Sequence, residues 1–312
     1  MRWVITGGCG FIGVNLIKNL IKEGGHHINV IDNLCLGKVK DVEDVCGLRD
    51  VNIIVDDIQD VKATERVCKG ADVIVHLAAL GGVRPSVEHP RQWFMNNTLG
   101  SFNVLEAAKN SDVGRVICAS SSAAVGNCTS PVHELSATAP ISPYGATKTT
   151  MESFCSAYYN SYGINTVCFR FSNVYGKYSH RKDQLIPKLL KRVLSGKEFN
   201  VYGDGEQTRD FIHVDDLVEA IKLCSVSNLG GEIIQLCSGK EHSVNTIVGK
   251  VKTYLEEYGV EVSGLNNVGP KAGDMRSNKA LNTKIKSTLK WKPKTNIDDG
   301  IKGMVKWFID RG

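Results

Sequence analysis

A chain of 312 residues can bury a core for one large or two modest domains without disulfide or metal staples. Its 42% hydrophobic and 23% charged residues exclude a disordered or fibrous chain, and a net charge of only +5 argues against a nucleic-acid platform while suiting an anionic small molecule. No apolar run approaches the ~18 residues of a membrane span, and a strand-like stretch begins at Trp3, so no export leader is expected and a cytoplasmic location is.

Residues 3–5 read as a first strand, followed by a glycine-rich turn and a helix with Phe11, Ile12, Leu16, Ile17, Leu20 and Ile21 on one face. Apolar runs at 28–31, 51–55 and 71–76 continue as strands, with helical patterns at 60–68 and 91–109 between the later ones. Strands at 113–119 and 166–170 complete the series. Runs apolar throughout fit strands covered on both faces, and their alternation with helices predicts an α/β fold with a doubly wound parallel sheet. Beyond about residue 173 the regularity breaks down. Short strands, turns such as Tyr202-Gly203-Asp204-Gly205 and helices near 215–224 and 244–257 predict a smaller α+β lobe. The ten cysteines stand singly from Cys9 to Cys237 with no C-x-x-C pair, so reduced, buried thiols are expected and no metal site is.

Gly7, Gly10 and Gly13 are spaced G-x-x-G-x-x-G between the first strand and the first helix. Such a turn brings backbone N–H groups to a pyrophosphate at a helix N-terminus and lets helix and strand pack closely. Asp32 ends the second strand about 20 residues later, where a carboxylate accepts the adenosine ribose hydroxyls and repels a 2′-phosphate, so NAD is favoured over NADP. Asp57 and Ile58 follow the third strand, and Leu77, Ala78 and Ala79 the fourth, where small side chains let a cofactor approach. His76 reads as a satisfied core histidine.

Ser120-Ser121-Ser122 closes the fifth strand, and Tyr144 and Lys148 stand four apart at the start of a helix. On one helix face, the ammonium would lower the phenol's pKa and make Tyr144 a general base near neutrality, with Ser122 orienting the substrate oxygen. Tyr-x-x-x-Lys is common on solvated helices; here both elements fall at the carboxyl ends of strands, where open α/β sheets bind ligands.

Together with Asp32-Asn33-Leu34, Ser142-Pro143-Tyr144, Asn173-Val174-Tyr175-Gly176 and Arg209-Asp210-Phe211-Ile212-His213-Val214-Asp215-Asp216, these motifs make the chain, from Gly7 to about Asp299, resemble the extended short-chain dehydrogenases/reductases. The likeness is to their nucleotide-sugar epimerase/dehydratase family, which includes the UDP-galactose 4-epimerases. The resemblance implies a Rossmann domain for NAD over residues 1–173, with segments near 208–238 returning to it. Residues 174–312 would mainly form a lobe for a nucleoside-diphosphate sugar, most often UDP-linked, in a homodimer. It assigns Phe11 and Ile12 to the pyrophosphate, Asp32 and Asn33 to the ribose, and Asp57 and Ile58 to the adenine. Asn97, Ser120 and Phe171 fall to the cofactor side, and Lys148 to the nicotinamide ribose. Asn173, Gln184, Arg209, Lys271, Asp274, Asn278 and the loop residue Arg84 would face the substrate.

Three departures narrow the expectation. The 4,6-dehydratases of the family follow the active-site hydroxyl with Asp-Glu; here Ala123-Ala124 follow Ser122, which points to epimerisation at C4 through a transient 4-keto sugar. Val125-Gly126-Asn127 stands where the family has Val-Tyr-Gly, which suggests a lost aromatic and a wider pocket. Lys271 replaces the usual Arg, exchanging bidentate phosphate pairing for a point charge. A hexose, N-acetylhexosamine or uronate all suit Asn278, and the basic run His180-Arg181-Lys182 would suit a uronate carboxylate as well as plain surface. A keto-sugar reductase consuming NAD(P)H uses the same triad. A non-catalytic scaffold does not fit the retention of both Tyr144 and Lys148.

Overall fold

The computed structural model describes residues 1–47, 50–128, 131–269, 276–277 and 279–311. The first half runs β1 (Arg2–Thr6), α1 (Phe11–Glu23), β2 (His27–Asp32), α2 (Val39–Cys46), β3 (Val51–Val55), α3 (Val61–Cys68) and β4 (Val73–His76). Next come α4 (Val83–Glu88), α5 (Pro90–Trp93), a π-helical turn (Phe94–Leu99), α6 (Gly100–Asn110), β5 (Arg115–Ser121), a 3-10 turn (Ser122–Ala124), α7 (Pro143–Tyr162) and β6 (Asn165–Phe171). The remainder is β7 (Asn173–Tyr175), α8 (Leu185–Leu194), β8 (Phe199–Tyr202), β9 (Thr208–His213), α9 (Val214–Ser225), β10 (Glu232–Leu236), β11 (Glu241–Ser243), α10 (Val244–Glu257), β12 (Leu265–Val268), α11 (Thr283–Leu289) and α12 (Ile297–Arg311).

Seven strands form one parallel sheet in the order β3-β2-β1-β4-β5-β6-β10. Side chains alternate faces along each strand, and both faces are dry. Trp3, Ile5, Val73, Val75, Ile117, Val167 and Phe169 join one buried cluster with α1 and α9. Val4, Ile74, Val116, Cys118 and Cys168 join another with α3, α6 and α7. That two-sided burial is why the runs carry no polar alternation. The sulfurs of Cys118, Cys155 and Cys168 meet in the second cluster, within 4.8 Å of one another.

The late strand β10 adds to the sheet beside β6, while β7, β9 and β11 form a three-stranded sheet and β8 pairs with β12. A third apolar cluster gathers Leu189, Phe199, Phe211, Ile247, Val251, Ile301 and Phe308 from α8, β8, β9, α10 and α12. Two carboxylates of the Arg209–Asp216 motif tie these parts together. Asp210 accepts the amides of Ser238 (2.8 Å) and Gly239 (2.7 Å), and Asp216 those of Lys294 (2.9 Å) and Thr295 (3.0 Å). The helical segment expected at 91–109 runs from Pro90 to Asn110 and contains a π-helical turn, which places Asn96 and Asn97 inward. Among the described residues, no helix is long and apolar enough to cross a membrane.

One buried ion pair pins α7 to the sheet. Arg170 on β6 donates from Nε and Nη2 to the two oxygens of Glu152 on α7, at 2.9 and 2.7 Å, and Ser120 on β5 donates to the same carboxylate. Both partners are at most 3% exposed. Removing one side of such a pair leaves an unpaired buried charge, so Arg170→Met should destabilise by about 3–5 kcal/mol. The double variant Arg170→Met/Glu152→Leu should recover much of that loss in urea denaturation.

Candidate active site

At the carboxyl end of β1, Gly7 takes φ +69°, and a Cβ there would lie 2.7 Å from the Ala78 amide nitrogen. Only glycine lets this turn press against the end of β4. Gly10 caps α1 and donates to the Gly7 carbonyl at 3.1 Å, while a Cβ on Gly13 would meet Gly8 Cα at 2.5 Å, so helix and turn touch backbone to backbone. Phe11 points its ring into the core. What Phe11 and Ile12 offer a ligand is their first-turn amides, which have no intrahelical acceptor.

The buried Asp32 accepts the Cys9 amide on Oδ2 (3.0 Å) and the Leu34 amide on Oδ1 (2.8 Å), which aims its remaining lone pairs at the crevice. Burial raises its pKa and the two amides oppose that shift. Asn33 donates to Asp57 at 2.7 Å, so Asp57 props Asn33, and Ile58 lines the crevice with Leu77, Ala78 and Ala79. Between β1 and β4, at the switch point of the sheet, a glycine cradle, a helix N-terminus and a ribose-binding carboxylate together fit a dinucleotide. His76 lies beneath, held by Thr6 Oγ1 (2.7 Å) and Ser101 Oγ (2.8 Å), and burial pulls its pKa down to about 4, leaving it a neutral core residue. Asn97 holds Leu80 through both backbone groups (2.8 and 3.0 Å) and donates to Thr147 on α7 (3.3 Å). It positions the crevice wall; Asn96 lines the crevice instead. The Ser120 hydroxyl is likewise committed to Glu152, and Phe171 packs in the core opposite Ser121.

Ser142 accepts the Gly145 amide (3.1 Å) and Pro143 opens α7, a capping arrangement worth about 1 kcal/mol, so Tyr144 sits in the first turn. Tyr144, Lys148 and Glu152 are four apart on one face. The Ser121 side chain, at the end of β5, acts on the Tyr144 phenol and favours its ionisation, and Ser122 opens the 3-10 turn. Lys148 is buried, donates to the Ala119 carbonyl at 2.7 Å and stands 6.0 Å from the Tyr144 ring centroid. Burial pushes the phenol's pKa up, with the Ser121 side chain opposing, and pulls Lys148 down to about 8. The Lys148 ammonium faces the end of β5. Gly126 takes φ +67°, and a Cβ there would lie 1.9 Å from the Ala139 carbonyl. That is a glycine position, which no aromatic side chain could occupy.

A cavity of about 440 Å³ opens beside β7, β8, β9 and α8, and Asn173, Gln184 and Arg209 all line it. Asn173 follows β6 by two residues, and the last residue of β6 is registered opposite Ser121. Lys188 and Arg192, one turn apart on α8, also line the cavity; their i, i+4 spacing is the sequence signal that was passed over. Arg84 lies elsewhere, exposed on α4 and paired with Glu88 at 2.9 Å. Lys271, Asp274 and Asn278 fall outside the described residues. The basic run is split: Arg181 pairs with Asp41, His180 packs against Trp307, and Lys182 lines the dinucleotide crevice.

The profile of the NAD dependent epimerase/dehydratase family matches residues 3–237. A putative UDP-glucose 4-epimerase of Methanocaldococcus jannaschii is 33% identical, over 98% of this chain and 97% of that protein. The UDP-N-acetylglucosamine 4-epimerase of Methanobrevibacter ruminantium, solved with UDP-N-acetylmuramic acid, superposes with a TM-score of 0.92 at 31% identity, covering 100% of this chain and 99% of that one. A dTDP-glucose 4,6-dehydratase of Streptomyces venezuelae, solved with NAD, gives 0.92 at 29%, covering 99% and 97%.

The burial of Lys148 has a pH signature. Its ammonium releases its proton near pH 8 in the folded chain but only near 10.5 once exposed. Between those values the unfolded state binds more protons, so this residue makes stability rise with pH across that window, its penalty being fully present below pH 8. Denaturant melts of nucleotide-free protein from pH 7 to 10 should show this rise, and Lys148→Met should remove it.

Proposed function

The chain belongs to the NAD-dependent epimerase/dehydratase family, and from that premise we propose that it interconverts C4 epimers of a UDP-linked sugar through a transient 4-keto intermediate. The observation that carries the reading is the Tyr144-Lys148 face of α7 held against the serines that end β5, with Ala123-Ala124 after Ser122 and no carboxylate there to eliminate water. The bound NAD supplies the reversible acceptor for the C4 hydride. Tyr144 removes the C4 hydroxyl proton and later returns it, while Ser121 and Ser122 hold that oxygen and pass the proton along. Lys148, once a cofactor ribose and an ionising phenol compete with the Ala119 carbonyl, favours the phenolate by its charge. Lys188, Arg192 and Arg209 give the 440 Å³ cavity the cations a diphosphate needs. A sugar held only through that diphosphate can turn over and present its other face. The same reading includes a homodimer, for which α6 and α7 offer an aromatic row of Phe102, Phe154, Tyr158 and Tyr162.

Purified protein incubated without added NAD should convert one of UDP-glucose, UDP-N-acetylglucosamine or UDP-glucuronate to a near-even mixture with its C4 epimer, resolved by chromatography. Steady consumption of NADH with a 4-keto sugar, and no epimer, would establish a reductase instead. Tyr144→Phe should lose about 10²–10⁴-fold in turnover while keeping its NAD. Unchanged turnover in that variant would refute the assignment of the base.

A further inference from the structure

We propose that Lys182 is the counter-charge for the dinucleotide pyrophosphate, a clamp delivered across the crevice by the segment between β7 and α8. Lys182 lines the crevice with Gly7, Gly10, Asp32 and Cys35. Among the described residues lining it, Lys182 is the one cation, while Asp32 and Asp56 are carboxylates. Two phosphates entering there would otherwise meet only the first amides of α1 and two negative charges. Lys182 shares that lining with Asn33 on the adenosine side and with Gly10, where α1 opens, which is where a pyrophosphate would lie against the helix. Burial lowers its pKa, and no ion pair offsets the cost among the described residues. A dianionic pyrophosphate is the ligand that would.

The segment is held firmly enough to deliver such a charge. Asn15 of α1 donates to the Lys177 carbonyl (3.0 Å), Ser179 to Gly176 (2.7 Å), the Lys182 amide to Ser179 (2.8 Å), and Lys191 to the Lys182 carbonyl (2.8 Å). Arg181 is anchored on the buried Asp41 of α2, which also takes Arg311 at 2.6 Å. Two residues beyond Lys182, Gln184 lines the 440 Å³ cavity, so one short stretch faces both ligands. The inference rests on the family's NAD chemistry and is independent of which sugar is turned over.

The test reads nucleotide binding without any sugar. Holoprotein, Lys182→Met, Lys182→Gln and Lys182→Arg would be compared for NAD content as purified, for the rate of NAD loss on dilution, and for affinity toward NAD, ADP-ribose and adenosine. Loss of one charge-assisted contact should weaken NAD and ADP-ribose about 10- to 100-fold in the Met and Gln variants. Adenosine affinity should stay unchanged, the salt dependence of NAD binding should flatten, and Lys182→Arg should stay near the wild type. Wild-type NAD retention in either neutral variant overturns the proposal. An equal loss of adenosine and NAD overturns it too, since it would mark Lys182 as a structural support of the crevice.

Discussion

The Glu152–Arg170 pair fixes the geometry on which the reacting end depends. Tyr144, Lys148 and Glu152 are three rungs of one face of α7, and the lower two rest on the sheet: Lys148 on the Ala119 carbonyl, Glu152 on Ser120 and on Arg170 of β6. A charge pair buried this deeply brings a desolvation cost, and a well-packed apolar pair would serve stability as well or better. What it adds is register. A helix sliding by one residue would break the bidentate bond and swing Tyr144 by about 100° around the helix axis.

The crevice and the cavity are built by opposite means. Around the dinucleotide, contact is made by backbone: a glycine turn, helix amides and small side chains at the ends of β1 and β4. Around the cavity it is made by long cationic side chains on α8 and β9. Backbone contact suits a cofactor common to a whole family, because it requires the absence of side chains. Side-chain contact lets the substrate vary without disturbing the sheet. The segment from Gly176 to Gln184 joins the two.

How much of this was legible follows from the range of the interactions. The glycine turn, Asp32 and the buried strands are local patterns with a physical requirement at each position, and they stand where the sequence places them. The π-helical turn inside the expected helix could not be read, because the inward Asn97 amide that it presents bonds Leu80 and Thr147 on other elements, while Asn96 bonds Asn97. The three serines at the end of β5 look alike in the sequence, and only the fold commits Ser120 to Glu152 and starts the 3-10 turn at Ser122.

The sequence alone therefore determined the fold class, the family and its NAD cofactor, and the spacing of the Tyr-Lys pair, since each rests on residues close together in the chain and bound by steric or helical spacing rules. Only the tertiary structure decided where the charges point. It turned Lys148 to the end of β5, divided His180, Arg181 and Lys182 among three environments, and sent Arg84 to the surface. It also showed Gly126 to be a glycine position. The reason is that a charged side chain long enough to reach several neighbours goes to whichever one folding brings near. For Arg181 that neighbour is Asp41, 140 residues away in the chain, whereas for Arg84 it is Glu88, only four away.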